Sequence, residues 1–242
     1  ALGDKTKIDS EEEFIKRLHK NRGTMVVAII PIKTNNQRLP GKNTRNLGSN
    51  PLFHYIFTTA KSLDFVDEVW VDSSDTRILE SAKQYGFKCL ERPTSLNSPE
   101  TSGHDLLKYE IDKLNLDDKD IVVQLFATLP FIKKKTIDEA VNLVDSLPYT
   151  SVLSLYPIEN RFWYDDKPVG HDPKNLKGTQ YERPVYCEAG FYTFEVGAFK
   201  KENSRITEDF IRQIVHPLEC IDIDTEDDFR YAEMILANDK KI

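Results

Sequence analysis

Long apolar runs are missing from these 242 residues. No stretch approaches the ~20 residues of a membrane span, and no apolar secretory segment opens the chain. Cysteine is scarce: Cys89, Cys187 and Cys220 show no paired metal-ligand spacing and are too few for a disulfide framework. A reducing, cytoplasmic setting is therefore expected. Positive charge is outnumbered, with 33 Lys and Arg against 40 Asp and Glu, and a net charge of −7 excludes a general affinity for nucleic acid. Local clusters of Lys and Arg remain compatible with that balance. His54, His104, His171 and His216 are dispersed, which speaks against a His-based metal or nucleophile site. No G-x-S-x-G motif or Ser-His-Asp ordering stands out.

What is present is an alternation of strand and helix. VVAII, from Val26, reads as a buried strand and LFHYIFTTAKSL as a helix with apolar residues at 3–4 spacing. EVWVD, TRILESAKQYG, KCLER, HDLLKYEIDKL, DIVVQLF and TIDEAVNLVDSL continue the alternation, Gly86 stopping the second helix. Apolar strands interleaved with helices predict an α/β fold with a mostly parallel sheet covered on both faces. In such sheets the loops at the strand carboxyl ends form the ligand crevice. After Pro148 the pattern changes. TSVLSLYPI reads as a strand, residues 159–186 are rich in Pro, Tyr, Lys and Gly without helical period, and GFYTFEV alternates as a strand. CIDID reads as a short strand and TEDDFRYAEMIL as a helix capped by Thr225. Residues 25–242 form the expected domain. Residues 1–24 carry a capping box, Ser10 with Glu13, opening a short helix with Phe14, Ile15 and Leu18 on one face. It reads as a peripheral helix or the remnant of a longer chain, and the missing initiator Met fits a fragment or processed chain.

Two features carry chemistry. In VVAIIPIKTNNQRLPGKN a buried strand breaks at Pro31 into a loop with Lys33, Arg38 and Lys42, and a helix is expected to follow. Backbone N–H groups, cationic side chains and a helix dipole together make a phosphate site. The alternative is a solvated loop, since Gly-poor loops are weaker phosphate signals than a Walker loop. In CIDIDTEDDF, strand alternation puts Asp222 and Asp224 on one face and the isoleucines on the other. Paired carboxylates favour a hard cation such as Mg²⁺, which nucleotide phosphates also bind. Otherwise Asp224 simply starts the helix, with the acids after it complementing the dipole. Arg92 at a strand end and Glu100–Gly103 either face a ribose or base or form ordinary turns and caps.

The loop IPIKTNNQRLPGKN resembles the sugar-acid cytidylyltransferases, the acylneuraminate and pseudaminic acid type, with Kdo-activating enzymes as more distant relatives. The resemblance extends through EVWVDSSDTRI, GFKCLERPTSL, ATLPF, EAGFYTF and IDIDTEDDFRYAE, nearly everything after Met25. It implies a Rossmann-like, three-layer nucleotidyltransferase fold with a small dimerisation extension, and transfer of CMP from CTP to the anomeric hydroxyl of a 2-keto sugar acid, with release of pyrophosphate. Carried over by position, Lys33, Lys42 and Asp224 are the implied catalytic residues. Lys33, Asn36, Arg38, Lys42, Asn43, Arg92 and Ser102 are the implied nucleotide contacts; Thr128, Gln180, Tyr186 and Glu188 those to the sugar. Asp222 and Asp224 are the implied Mg²⁺ ligands. Residues 149–194 are implied to form a homodimer that reaches the partner's site.

The chain departs from the family pattern in several places. Lys33 replaces a loop arginine, losing bidentate reach to phosphate while keeping the charge. Asn35-Asn36 replaces Gly-Ser, and Phe126 stands where a polar substrate contact is usual. Two other readings accompany the first. One is a nucleotide-binding module that has lost catalysis, the other a glycosyltransferase using Asp222-Ile223-Asp224 as its D-x-D.

Overall fold

Even-numbered residues of the first strand, Val26, Ala28, Ile30 and Ile32, point into one apolar core, and Val27 and Ile29 into another. A strand buried on both faces needs helices on both, and the chain supplies them. The computed structural model describes residues 23–238 except 99 and 149, so the expected helix around Ser10 lies outside the described residues. In chain order the strands are β1 (Val26–Ile32), β2 (Asn46–Leu47), β3 (Asn50–Pro51), β4 (Glu68–Ser73), β5 (Lys88–Glu91), β6 (Ile121–Gln124), β7 (Ser151–Ile158), β8 (Phe162–Tyr164), β9 (Lys167–Val169), β10 (Val185–Glu195) and β11 (Ile211–Ile214). The helices are α1 (Leu52–Lys61), α2 (Thr76–Gln84), α3 (Gly103–Leu114), α4 (Lys134–Asp145), α5 (Val196–Glu202) and α6 (Glu226–Asn238). Among the described residues no helix is long and apolar enough to cross a membrane.

The main sheet runs β11-β7-β10-β6-β1-β4-β5. β1 pairs in parallel with both β4 and β6, while β10 is antiparallel to β6 and β7. From β1 the chain winds outward to β4 and β5, then returns to lay β6 on the other side of β1. That reversal opens a crevice at the carboxyl ends of β1 and β6, where open α/β sheets bind ligands. β10 carries a register shift between Glu188 and Tyr192, at Gly190 with φ +86°, and a Cβ there would sit 3.1 Å from Leu129. Only glycine suits both conditions.

Two expectations need correction. The CIDID segment is not a strand: a 3-10 turn over Pro217–Cys220 gives way to irregular chain pinned by Ile223 N–H to the Thr128 carbonyl at 2.9 Å. Nor does a helix follow the first loop directly. Gly41, at φ +70°, leads into a single 3-10 turn, Lys42–Thr44, and α1 starts only at Leu52. Residues 159–186 are more regular than their composition suggests, since β8 and β9 pair as a hairpin. Thr225 caps α6 as expected: the Asp228 N–H donates to its hydroxyl, and its own N–H donates to Asp228.

Between β4, β5 and α3 lies a buried ionic cluster. Arg92 is 2% exposed, and Nε and Nη2 donate to the Asp72 carboxylate at 2.9–3.2 Å. Glu110, also fully buried, faces them, and neither of its oxygens nor Arg92 Nη1 has a hydrogen-bond partner among the described residues. Burial first, then the Asp72 carboxylate, drives the Glu110 pKa well above the ordinary glutamate range. Replacing Arg92 by Leu is expected to cost about 3–5 kcal/mol, because the buried Asp72 carboxylate loses the guanidinium paired with it. The Glu110→Gln variant should gain stability over wild type as pH rises above the unfolded-state glutamate pKa, since only the wild-type folded state must then hold a proton. Urea melts at pH 5 and pH 8 test this, and an equal difference at both would refute it.

Candidate functional site

Lys42 and Asp224, 182 positions apart, meet at the mouth of the crevice. Lys42 Nζ donates to the Ile223 carbonyl at 2.8 Å and to Asp224 Oδ1 at 2.9 Å, and Arg38 Nη2 reaches the same oxygen at 2.8 Å. The segments are held together from behind by an apolar cluster in which Leu39, Leu47 and Leu52 pack against Ile223 and Phe229. Arg45 adds a clip, bidentate to Glu226 at 2.6 and 2.9 Å with its guanidinium 4.0 Å over the Phe229 ring. Such a fork-to-carboxylate pair is directional and resists sliding.

Two recesses open here and share Lys33, Asn36 and Lys42. One, of about 330 Å³, is lined also by Asn35, Gln37, Arg38, Asn97 and Ser98, and is strongly cationic. The other, of about 310 Å³, is lined by Pro31, Leu106, Gln124, Phe126, Thr128 and Arg205, among others. The first, with Arg38 beside the shared lysines, suits a polyphosphate; the second, with Arg205 beside the same lysines and Leu106 and Phe126 as apolar wall, suits a ring that carries a polar or anionic edge. A larger cavity, of about 920 Å³, lies near the amino ends of β1 and β6, but Asp117, Asp118, Asp145 and Glu195 line it against Lys119 and Lys200. That balance repels phosphate.

The loop is braced by its own amides. Asn43 Nδ2 donates to the Lys33 carbonyl at 2.8 Å and Asn36 Nδ2 to the same oxygen at 3.2 Å. Asn36 thus folds back onto the loop. Asn43 is 6% exposed, and its Oδ1 has no hydrogen-bond partner among the described residues although the residue lines the second recess. A buried acceptor without a partner is costly, and a ligand N–H or O–H would satisfy it. Lys33 Nζ donates to the Thr101 carbonyl at 3.3 Å, tying the first loop to the one before α3. Burial first, and Arg92 second, lowers its pKa below the usual lysine range.

Asp222 remains open to water beside Asp224. The protein around it desolvates the carboxylate and raises its pKa; a hydrogen bond from Thr128 opposes that shift, and the Asp224 charge adds to it. Among the described residues no group of three His, Cys, Asp or Glu side chains could hold a metal ion. Two carboxylates beside a phosphate-sized recess nonetheless fit the donor set of Mg²⁺, which takes one or two protein carboxylates and completes its shell with water and phosphate.

The structure brings together Lys33, Asn36, Arg38, Lys42, Asn43, Thr128, Asp222 and Asp224. Other expected residues fall elsewhere. Arg92 is committed to Asp72 in the protein interior and lines neither recess. Ser102 caps α3, accepting from the Asp105 N–H at 3.0 Å. Gln180 sits on an exposed 3-10 turn, Thr179–Tyr181, and Tyr186 lies exposed on β10 with the Arg212 guanidinium 4.9 Å from its ring centroid. Glu188 accepts from the Tyr192 hydroxyl at 2.5 Å. Sequence reasoning missed Gln124 and Arg205. Gln124 could have been found as the polar residue in the apolar run DIVVQLF, whereas no local signal marks Arg205.

Residues 27–161 match the family described as Cytidylyltransferase. The chain is similar to the 3-deoxy-manno-octulosonate cytidylyltransferase of Thermodesulfovibrio yellowstonii, 27% identical over 201 residues that span 73% of this chain and 77% of that protein. It is also similar to the 8-amino-3,8-dideoxy-manno-octulosonate cytidylyltransferase of Shewanella oneidensis, 25% identical over 255 residues, 88% of this chain and 99% of that one. Among solved structures, a CMP:2-keto-3-deoxy-manno-octonic acid synthetase complexed with CTP superposes with a TM-score of 0.67 at 17% identity, covering 88% of this chain and 99% of that one.

The lowered Lys33 pKa has a measurable consequence. With CTP as the probe, affinity should fall as pH rises through that depressed value, at lower pH than an ordinary lysine would cause. A Lys33→Arg variant, whose side chain stays charged, should lose that alkaline limb. Titration calorimetry across pH checks both, and superimposable profiles would remove Lys33 from the phosphate site.

Proposed function

The chain belongs to the cytidylyltransferase family, and from that premise we propose that it transfers CMP from CTP to the anomeric hydroxyl of a Kdo-like 2-keto sugar acid, releasing pyrophosphate. The observation that carries this reading is the pair of recesses meeting at Lys33, Asn36 and Lys42. One is polar and cationic enough for a triphosphate, and the other adds the apolar walls of Leu106 and Phe126 to its cations, as a ring-bearing group needs. The similarity to 3-deoxy-manno-octulosonate enzymes favours an octulosonate over the nonulosonic acids suggested by the first-loop resemblance.

In this reading the anomeric oxygen attacks the α-phosphorus, and the bond to the β-phosphate oxygen breaks. Such transfer depends on positioning and on neutralising phosphate oxygens. Lys33, Arg38 and Lys42 supply the charge. Lys42 has three donors, two of them held by Ile223 and Asp224, and the third is available to a phosphate. Asn43 Oδ1 would accept from the nucleoside. Asp222 and Asp224 would hold Mg²⁺, whose charge supplies further neutralisation of the triphosphate. A glycosyltransferase reading of Asp222-Ile223-Asp224 has no support from the family match.

We also propose a homodimer through residues 149–194. Trp163, Tyr164 and Tyr181 are 56%, 73% and 74% exposed on that extension, a concentration of large apolar surface that marks an interface. Sedimentation should give a dimer at micromolar concentration, and a monodisperse monomer would count against it.

The activity is tested by pyrophosphate release from CTP and Mg²⁺ with Kdo, 8-amino-Kdo and N-acetylneuraminate. Asp224→Ala should lower kcat on the order of 10²–10³-fold, the scale of losing one electrostatic partner of the transition state, with an unchanged circular dichroism spectrum. CTP binding without turnover on any acid would favour the lapsed module.

A further inference from the structure

Arg205 stands on the turn after α5. Its guanidinium lies 3.5 Å over the Tyr192 ring, and Nη1 donates to Gln124 Oε1 at 2.8 Å. Gln124 is 1% exposed, and Tyr192 is fixed in turn by Glu188 at 2.5 Å and by an edge-on contact with Phe126. Among the described residues no carboxylate comes within ion-pair distance of Arg205. A half-buried cation held in one orientation, and left uncompensated, is poised for an anion.

The recess it lines narrows the choice. Arg205 is in the lobe with Leu106, Gln124, Phe126 and Thr128; Lys33 and Lys42 line both lobes, so Arg205 is the cation particular to this lobe as Arg38 is to the phosphate-sized one. A planar fork stacked on an aromatic ring matches a carboxylate better than a single oxygen. Resting on the activity proposed above, we infer that Arg205 binds the carboxylate of the sugar-acid acceptor, with Gln124 and Tyr192 holding the guanidinium in place. Gln124 also accounts for the departure at Phe126, because the polar group has moved two residues back along the same strand end. Selection of a 2-keto acid over a neutral ketose then depends on Arg205.

Calorimetry on the full chain, with a CTP analogue blocked at the α–β bridge, tests the assignment using Kdo and its methyl ester. Arg205→Gln should weaken Kdo binding by about 10- to 100-fold, as expected for a hydrogen-bonded charge pair, with CTP affinity within about two-fold of wild type. Arg205→Lys should recover part of the loss, and its melting curve guards against a folding defect. The ester should bind wild type and Arg205→Gln alike, since its carboxylate charge is already gone. An unchanged Kdo affinity in Arg205→Gln, a matching loss for CTP, or wild type that fails to bind Kdo overturns the inference. Kdo bound with normal Arg205 dependence but no pyrophosphate released would instead overturn the activity and leave the carboxylate site standing.

Discussion

The ammonium of Lys42 is the joint on which the site depends. It is 8% exposed, and a lysine so buried needs compensation that its own loop does not contain. Compensation comes from the Ile223 carbonyl and the Asp224 carboxylate, at the far end of the chain. Closing so long a separation is entropically expensive, and the two hydrogen bonds do not bear that cost alone. Leu39 and Leu47 packing on Ile223 and Phe229, with Arg45 forked onto Glu226, make the same closure from three sides. The apolar cluster sets the distance and the charges set the register.

This arrangement explains how an acidic chain concentrates positive potential. Asp224 takes Arg38 and Lys42 onto one oxygen, which holds two cations together in the absence of a ligand. Without that acid their mutual repulsion would spread the loop. Asp224 therefore has a structural role before any metal is considered. Asp222, more open to water, feels the same two cations from farther away, makes no ion pair among the described residues and is the more available of the pair.

Much of the fold was legible because periodicity is local. Between Val26 and Asp145 the four strands of the main sheet and the four α-helices follow from apolar spacing and its punctuation, whereas the short β2–β3 pair does not, and the Thr225 cap was readable from the acids after it. The failures lie where tertiary contacts override local pattern. Ile221 to Asp224 alternate like a strand, yet the segment pairs through a single bond to Thr128 and never enters the sheet. Arg92 reads as a residue at a strand end, but Asp72 on the neighbouring strand and Glu110 on α3 draw it inside, a juxtaposition visible only once β4, β5 and α3 are packed. Of the site, the loop cations and the aspartate pair were legible as residue types at strand ends. Arg205 was not, because its role comes from the Tyr192 face and the Gln124 amide, both distant in sequence.

The first loop shows how recognition adapts when the usual devices are missing. Its only glycine, Gly41, serves the 3-10 turn, and no α-helix begins there to offer its dipole. In the proposed reading, backbone N–H groups and a helix end would not carry the phosphate charge alone, and side chains would have to. That requirement turns Asn35-Asn36 from an obstruction into part of the solution, at least at Asn36. Its amide and that of Asn43 converge on the Lys33 carbonyl, stiffening the backbone that a glycine would have left loose. Lysine in place of arginine at position 33 fits the same logic. A point charge partly withdrawn into protein can still reach a phosphate oxygen, and unlike a guanidinium it needs no planar slot. The loop thus exchanges backbone cradling for a braced scaffold with cations projecting from it. The acid at its back, Asp224, draws Arg38 and Lys42 together, while the Ile223 and Thr101 carbonyls hold Lys42 and Lys33.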